Sequence, residues 1–119
     1  MRLMFFKPDE FACRCCGQVH MDRAFLLRLD ESRGMAGIPY VITSGYRCAK
    51  HNAAVGGSPT SSHLHGIAAD IAAPDSHTAF LMMQSLIFTG FKRIGWNQAR
   101  RFIHVDTDPD KPQRVLFSY

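Results

Sequence analysis

Ser61-Ser62-His63-Leu64-His65-Gly66-Ile67-Ala68-Ala69-Asp70-Ile71 is the stretch of this 119-residue chain whose pattern decides the rest. A polar, turn-forming run with two imidazoles passes into small and apolar residues that enclose one carboxylate. Residues 67–72 predict a short buried strand. Asp70, between Ala69 and Ile71, must then be largely buried. An unpaired buried carboxylate is costly, and a cation is one remedy. Gly66 and Ala68 are small enough to let backbone and ligands approach an ion closely. Catalytic zinc takes three protein ligands from His, Asp, Glu or Cys and keeps one position for water. On chemistry alone His63 and His65 compete for that role.

A third ligand is sought downstream, in Arg101-Phe102-Ile103-His104-Val105-Asp106. Alternate residues of a strand share a face. Phe102, His104 and Asp106 therefore point one way, and Ile103 and Val105 the other. If His104 faces a metal, Asp106 lies on the same side, where it could act as a base or orient His104. Glu31 is far upstream on a helix, and Asp108 and Asp110 lie past the strand.

Around these two segments the pattern predicts one α+β domain spanning 1–119, with helices packed on a small antiparallel sheet. Asp22 is a plausible cap for a helix running to about Met35, with Phe25, Leu26, Leu29 and Met35 inward and Gly34 and Gly37 ending it. Residues 39–43 predict a strand and 47–55 a short helix stopped by Gly56-Gly57. Asp75 or Ser76 caps a second long helix with Phe80, Met83, Leu86, Ile87 and Phe91 as its apolar stripe, closed by Gly90. Strands are expected at 92–96, 101–106 and 114–117, the first two joined by a turn at 97–100.

Composition is that of an ordinary folded domain, with 46% hydrophobic and 20% charged residues. The formal charge of +4 is mild and spread along the chain, and aromatic and basic residues do not interleave on one face, which argues against nucleic acid as a partner. No apolar run reaches the roughly 18 residues of a membrane span. The opening Met1-Arg2-Leu3-Met4-Phe5-Phe6 lacks the longer apolar stretch and cleavage site of a signal peptide, so synthesis in the cytoplasm is expected. A monomer is favoured. Cys13 and Cys16 form a C-x-x-C pair, a common half of a zinc site. A second metal site, or a disulfide, would bring them to Cys48; Cys15, His20 or His51 could complete a metal site.

Ser61-x-His63-x-x-Gly66-x-Ala68-x-Asp70 resembles the motif of zinc D-Ala-D-Ala carboxypeptidases and related cell-wall endopeptidases, the M15-like peptidases. Ser44-Gly45-Tyr46-Arg47, then Asn52 and Gly56-Gly57, resemble the family's preceding segment. Phe102-x-His104-x-Asp106 resembles its closing element, and 11–17 the N-terminal part of one branch. The hedgehog signalling domain is similar in fold. The resemblance implies that Zn2+ is held by His63, Asp70 and His104, which selects His63 over His65. It implies that Arg47 reaches into the cleft to stabilise the oxyanion and that Ser61 contacts substrate. The implied substrate is the peptidoglycan peptide, met after lysis or export, or from a phage particle.

One position departs from the family pattern. Many members carry Glu or Asp three residues before the last histidine as general base, and here that residue is Arg101. Asp106 is the expected substitute. A non-catalytic zinc-containing module that binds wall or protein is the alternative, and a basic nucleic-acid-binding domain ranks behind it.

Overall fold

The computed structural model describes residues 2–119; Met1 lies outside them. Asp22 caps α1 (Arg23–Ala36) by accepting from the Phe25 amide at 2.9 Å, and Gly37 closes it at φ 69°. Gly34 stays inside the helix. The extended N-terminal segment is tied to α1 by Asp30, whose carboxylate accepts from the amides of Met4, Phe5 and Phe6. Three backbone donors on one buried carboxylate satisfy a group that would otherwise be costly to bury.

Five strands form one sheet: β1 (Ile42–Ser44), β2 (Ala68–Ala72), β3 (Arg93–Asn97), β4 (Phe102–Asp106) and β5 (Val115–Ser118). Their order is β1-β2-β4-β3-β5. All neighbours are antiparallel except β3 and β5, which run parallel. The expectation of an α+β fold therefore holds, with a mostly antiparallel sheet in place of a wholly antiparallel one. The first strand is shorter than the 39–43 pattern and starts three residues later, at Ile42.

One sheet face carries Ala69, Ile71, Ile94, Ile103 and Val105 into the core, against Phe25, Leu26 and Leu29 of α1 and Met82 and Leu86 of α3 (Ser76–Phe88). The α3 stripe differs from the expected one. Phe80 and Ile87 are exposed, and Ala79, Met82, Ser85 and Leu86 face inward. Met35 is likewise exposed on α1. The two helices meet through small polar groups: Ser85 Oγ donates to the Ser32 carbonyl at 2.5 Å, and Ser32 Oγ lies 2.8 Å from the Tyr40 hydroxyl. Ser32 and Ser85 let the two helices approach closely at this contact, while Phe80 and Ile87 of α3 stay outside.

The opposite sheet face carries Asp70, Gly95, His104 and Asp106. Register places Asp70 and Gly95 on either side of His104, and Ala68 and Arg93 on either side of Asp106. Between β1 and β2 lie the short α2 (Ala49–Ala54) and a 3-10 turn over Ser62–His65, which together roof this face.

Candidate metal centre

His63 arrives from the 3-10 turn, which Ser61 begins and Gly66 ends at φ 68°. A β-carbon at Gly66 would run into the His20 carbonyl, so both conformation and close approach require glycine there. The turn thus drops His63, 3% exposed, onto Asp70 of β2, with its Nε2 at 3.3 Å from Asp70 Oδ1. His104 of β4 presents Nδ1 to the same oxygen at 2.9 Å. Ligand atoms of His63, Asp70 and His104 all lie within 4.8 Å of one another.

The outer nitrogen of each ring is already engaged. His63 Nδ1 lies 2.8 Å from the Gly45 carbonyl, which can only accept. His104 Nε2 lies 2.7 Å from Asp106 Oδ2. The Gly45 carbonyl requires the N–H of a neutral His63 on Nδ1, which leaves its Nε2 toward Asp70, whereas His104 lies between two carboxylates and turns one nitrogen to each. With the His104 proton on the Asp106 side, two lone pairs and a carboxylate oxygen converge in a buried place. Only protons or a cation make that arrangement favourable, and the donor set suits a divalent metal.

Charge in the centre follows from the same contacts. Burial alone would raise the Asp70 pKa, but hydrogen bonds from His104 and His63 hold it far below the usual carboxylate range. Burial pulls the His104 pKa down, yet Asp106 and Asp70 outweigh it and lift it above the ordinary histidine value. Asp106 is 1% exposed, and burial pushes its carboxyl up; the His104 bond, the Asp108 amide and the Arg93 guanidinium bring it below normal.

Of the two roles expected for Asp106, base or orienter of His104, its contacts fit the second. Its Oδ2 takes the ring nitrogen of His104 that faces away from Asp70, and its Oδ1 accepts from Arg93 Nε at 2.7 Å and from the Asp108 amide at 3.0 Å. Both oxygens are spent on the outer side of His104. The strand alternation put Asp106 on the right face, but the imidazole stands between it and the convergence point. This geometry is that of a carboxylate orienting a metal-binding histidine.

Arg47 does reach the centre. Its Nη2 lies 3.5 Å from Asp70 Oδ2, its Nε donates to Ser44 Oγ at 3.0 Å and its Nη1 to Asn52 Oδ1 at 3.3 Å. Asn52 in turn donates to the Ser58 carbonyl. Gly57 lies so close to Asn52 that a β-carbon would collide with its side-chain oxygen. Ser61 lines the cleft, and its Oγ accepts from the His63 amide at 3.3 Å. His65 is exposed and outside the cluster.

The cluster opens into a cleft of about 690 Å³. Its walls include residues that sequence reasoning missed: Arg93, Arg100, Lys111, Phe117 and Tyr119. Arg100 lines the cleft and Arg101 does not. Phe117 covers Gly95, where a β-carbon would meet its ring, and its own ring lies 5.8 Å from that of His104. Tyr119 is exposed as a residue; partial burial of its phenol against the cleft, then the charges of Asp70 and Asp106, raise its pKa against the pull of Arg47. Its hydroxyl is therefore a donor at neutral pH. Only the parallel placement of β5 brings these aromatic residues to the site, and no local pattern announces it. A smaller apolar hollow of about 300 Å³, lined by Met35, Leu81 and Phe88, carries no ionisable group.

The peptidase M15 family model matches residues 4–106, from the N-terminal segment through the whole cluster. The chain belongs to the peptidase M15 family. No curated protein matches it in sequence. M15 peptidases are metallopeptidases, and this M15 peptidase has a His-Asp-His group able to hold the metal. No helix among its described residues is long and apolar enough to cross a membrane.

Proposed function

We propose that this M15 peptidase hydrolyses peptide bonds of peptidoglycan with a zinc ion held by His63, Asp70 and His104. The observation that carries the reading is the convergence of two imidazole nitrogens, each from a ring with an acceptor on its far side, on one buried carboxylate oxygen. When bound, zinc supplies Lewis acidity, which lowers the pKa of water and polarises a carbonyl. Arg47, held by Ser44 and Asn52, offers its guanidinium to the oxyanion that develops on the scissile carbonyl. The Tyr119 hydroxyl keeps its proton and can donate to the same substrate. Asp106 and Gly45 hold the two histidines in the required tautomers.

The substrate class rests on the family resemblance, and the charge of the cleft agrees with it. Arg100 and Lys111 line the walls, where a free carboxylate of a stem peptide would find cations. On this reading the enzyme works at the wall, reached by lysis, by export or within a phage particle. A non-catalytic zinc module that binds wall or protein is the second reading. It is favoured by one observation: Asp70 and Asp106 are the only carboxylates lining the cleft among the described residues, and both are engaged.

Digestion of purified peptidoglycan, analysed by mass spectrometry, separates the two. Release of D-alanine would make the enzyme a carboxypeptidase, and opened cross-links an endopeptidase. Wall that is bound but chemically intact after incubation with zinc-loaded protein would leave the binding module.

A further inference from the structure

The N-terminal segment carries a second convergence of metal-type ligands, built wholly of sulfur. We infer that Cys13, Cys16 and Cys48 bind a second, thiophilic divalent ion of the zinc type, which clamps the N-terminal segment onto the loop that carries Arg47. The three Sγ atoms all lie within 4.8 Å of one another, although Cys48 is 35 residues from Cys13. Cys13 Sγ and Cys48 Sγ are 3.6 Å apart. Four sulfurs at ~2.3 Å from a tetrahedral ion stand ~3.8 Å from each other, so the spacing already matches the edge of such a site.

The backbone around the sulfurs is arranged for thiolates. Residues 13–17 close on themselves through Gly17 N donating to the Cys13 carbonyl and Cys13 N donating to the Gln18 carbonyl, both at 2.8 Å. Gly17 follows Cys16 at φ 74°, a conformation that lets the chain turn sharply after the second ligand. Amide groups then point at sulfur: Cys48 N donates to Cys13 Sγ and His51 N to Cys48 Sγ, each at 3.4 Å. Such backbone N–H···S contacts orient thiolates and favour their charge. A disulfide would use two of the three sulfurs and leave the third without a partner. A structural metal site uses all three and takes a fourth ligand, for which the exposed Cys15 is adjacent in sequence to Cys16.

The clamp has a consequence for the cleft. Tyr46 N donates to the Phe11 carbonyl at 2.9 Å, and a β-carbon on Gly45 would fall 2.6 Å from the Phe11 backbone. The same loop supplies the carbonyl that orients His63, and Arg47 itself. Fastening Cys48 to residues 13–16 therefore fixes the strand exit that positions both.

The full-length protein, purified under reducing conditions with zinc, tests this without any activity readout. Elemental analysis should give about two zinc per chain, falling to about one in His104→Ala, where the sulfur site alone remains. Cobalt-substituted His104→Ala should show sulfur-to-cobalt charge-transfer absorption in the near ultraviolet, and Cys16→Ser should lose it. The spectrum of the parent cobalt protein guards against a Cys16→Ser chain that fails to fold. A cobalt protein without that absorption, a zinc-free His104→Ala chain, or a Cys13–Cys48 disulfide found by mass spectrometry under the same conditions would each overturn the inference.

Discussion

The histidine centre and the cysteine cluster are both sets of three ligands brought together across the sequence, and they are built in opposite ways. His104 and Asp70 sit opposite each other on neighbouring strands, with only His63 coming from a turn. Each of their rings is held from behind, by Gly45 and Asp106, and the front opens into a large cleft. Cys13 and Cys16 sit on irregular backbone and Cys48 caps α2; amide groups point at two of the sulfurs, and none of the three lines the histidine cleft. The difference separates what each place can do. Rigid strands with an open coordination position suit chemistry, whereas a closed set of sulfurs suits fastening.

Changes that touch only the open side of the histidine centre should alter turnover and leave the metal in place. Arg47→Ala removes the oxyanion donor, and kcat is expected to fall ~100–1,000-fold, the range for loss of one such donor. Zinc content should stay at the parent level. Loss of zinc from Arg47→Ala would show that the guanidinium supports Asp70 more than substrate.

Changes behind the histidines should act on the metal first. Asp106→Asn keeps size but weakens the acceptor that holds the His104 tautomer, so zinc affinity should drop ~10–100-fold in competition with a chelator. Unchanged affinity with turnover lost would return Asp106 to the role of base.

The smallest expected effect is one of pH. In the metal-free protein the raised pKa of His104 means that its extra proton is held above the ordinary histidine range. That proton's contribution to stability is complete below ~6.5, the unfolded value, and is lost as pH rises through the folded pKa. Asp70 stays ionised throughout this range because its pKa is depressed. Zinc must displace the His104 proton, so affinity should fall about tenfold for each unit of acidification below the raised pKa. A calorimetric titration with no proton release near neutrality would contradict the raised pKa of His104.

Much of the histidine centre was legible in the sequence because period-two alternation and a carboxylate among apolar residues are local signals. His104 and the core pair Ile103 and Val105 follow from that alternation directly. The choice of His63 over His65 came from family resemblance, and its physical cause is tertiary: Gly66 must pack against the His20 carbonyl, which sets the turn. Leu86 and Phe91 of the α3 stripe are buried, but Phe80 and Ile87 face out, because Ala79 and Ser85 lie inside where α1 and α3 approach. Asp106 shows the limit of a face argument, since sharing a face with His104 left open which ring nitrogen it meets. Phe117 and Tyr119 depend on β5 lying parallel to β3, a long-range pairing with no local mark.

The central claim is that His63, Asp70 and His104 hold the metal that cuts peptide. It is tested most directly by measuring zinc per chain and peptidoglycan hydrolysis in the same samples of parent protein and His104→Ala. The account predicts that the variant loses one equivalent of zinc and all hydrolysis while its fold, followed by circular dichroism, persists. A His104→Ala protein with the parent's full zinc content, or one that still hydrolyses peptidoglycan, would contradict it.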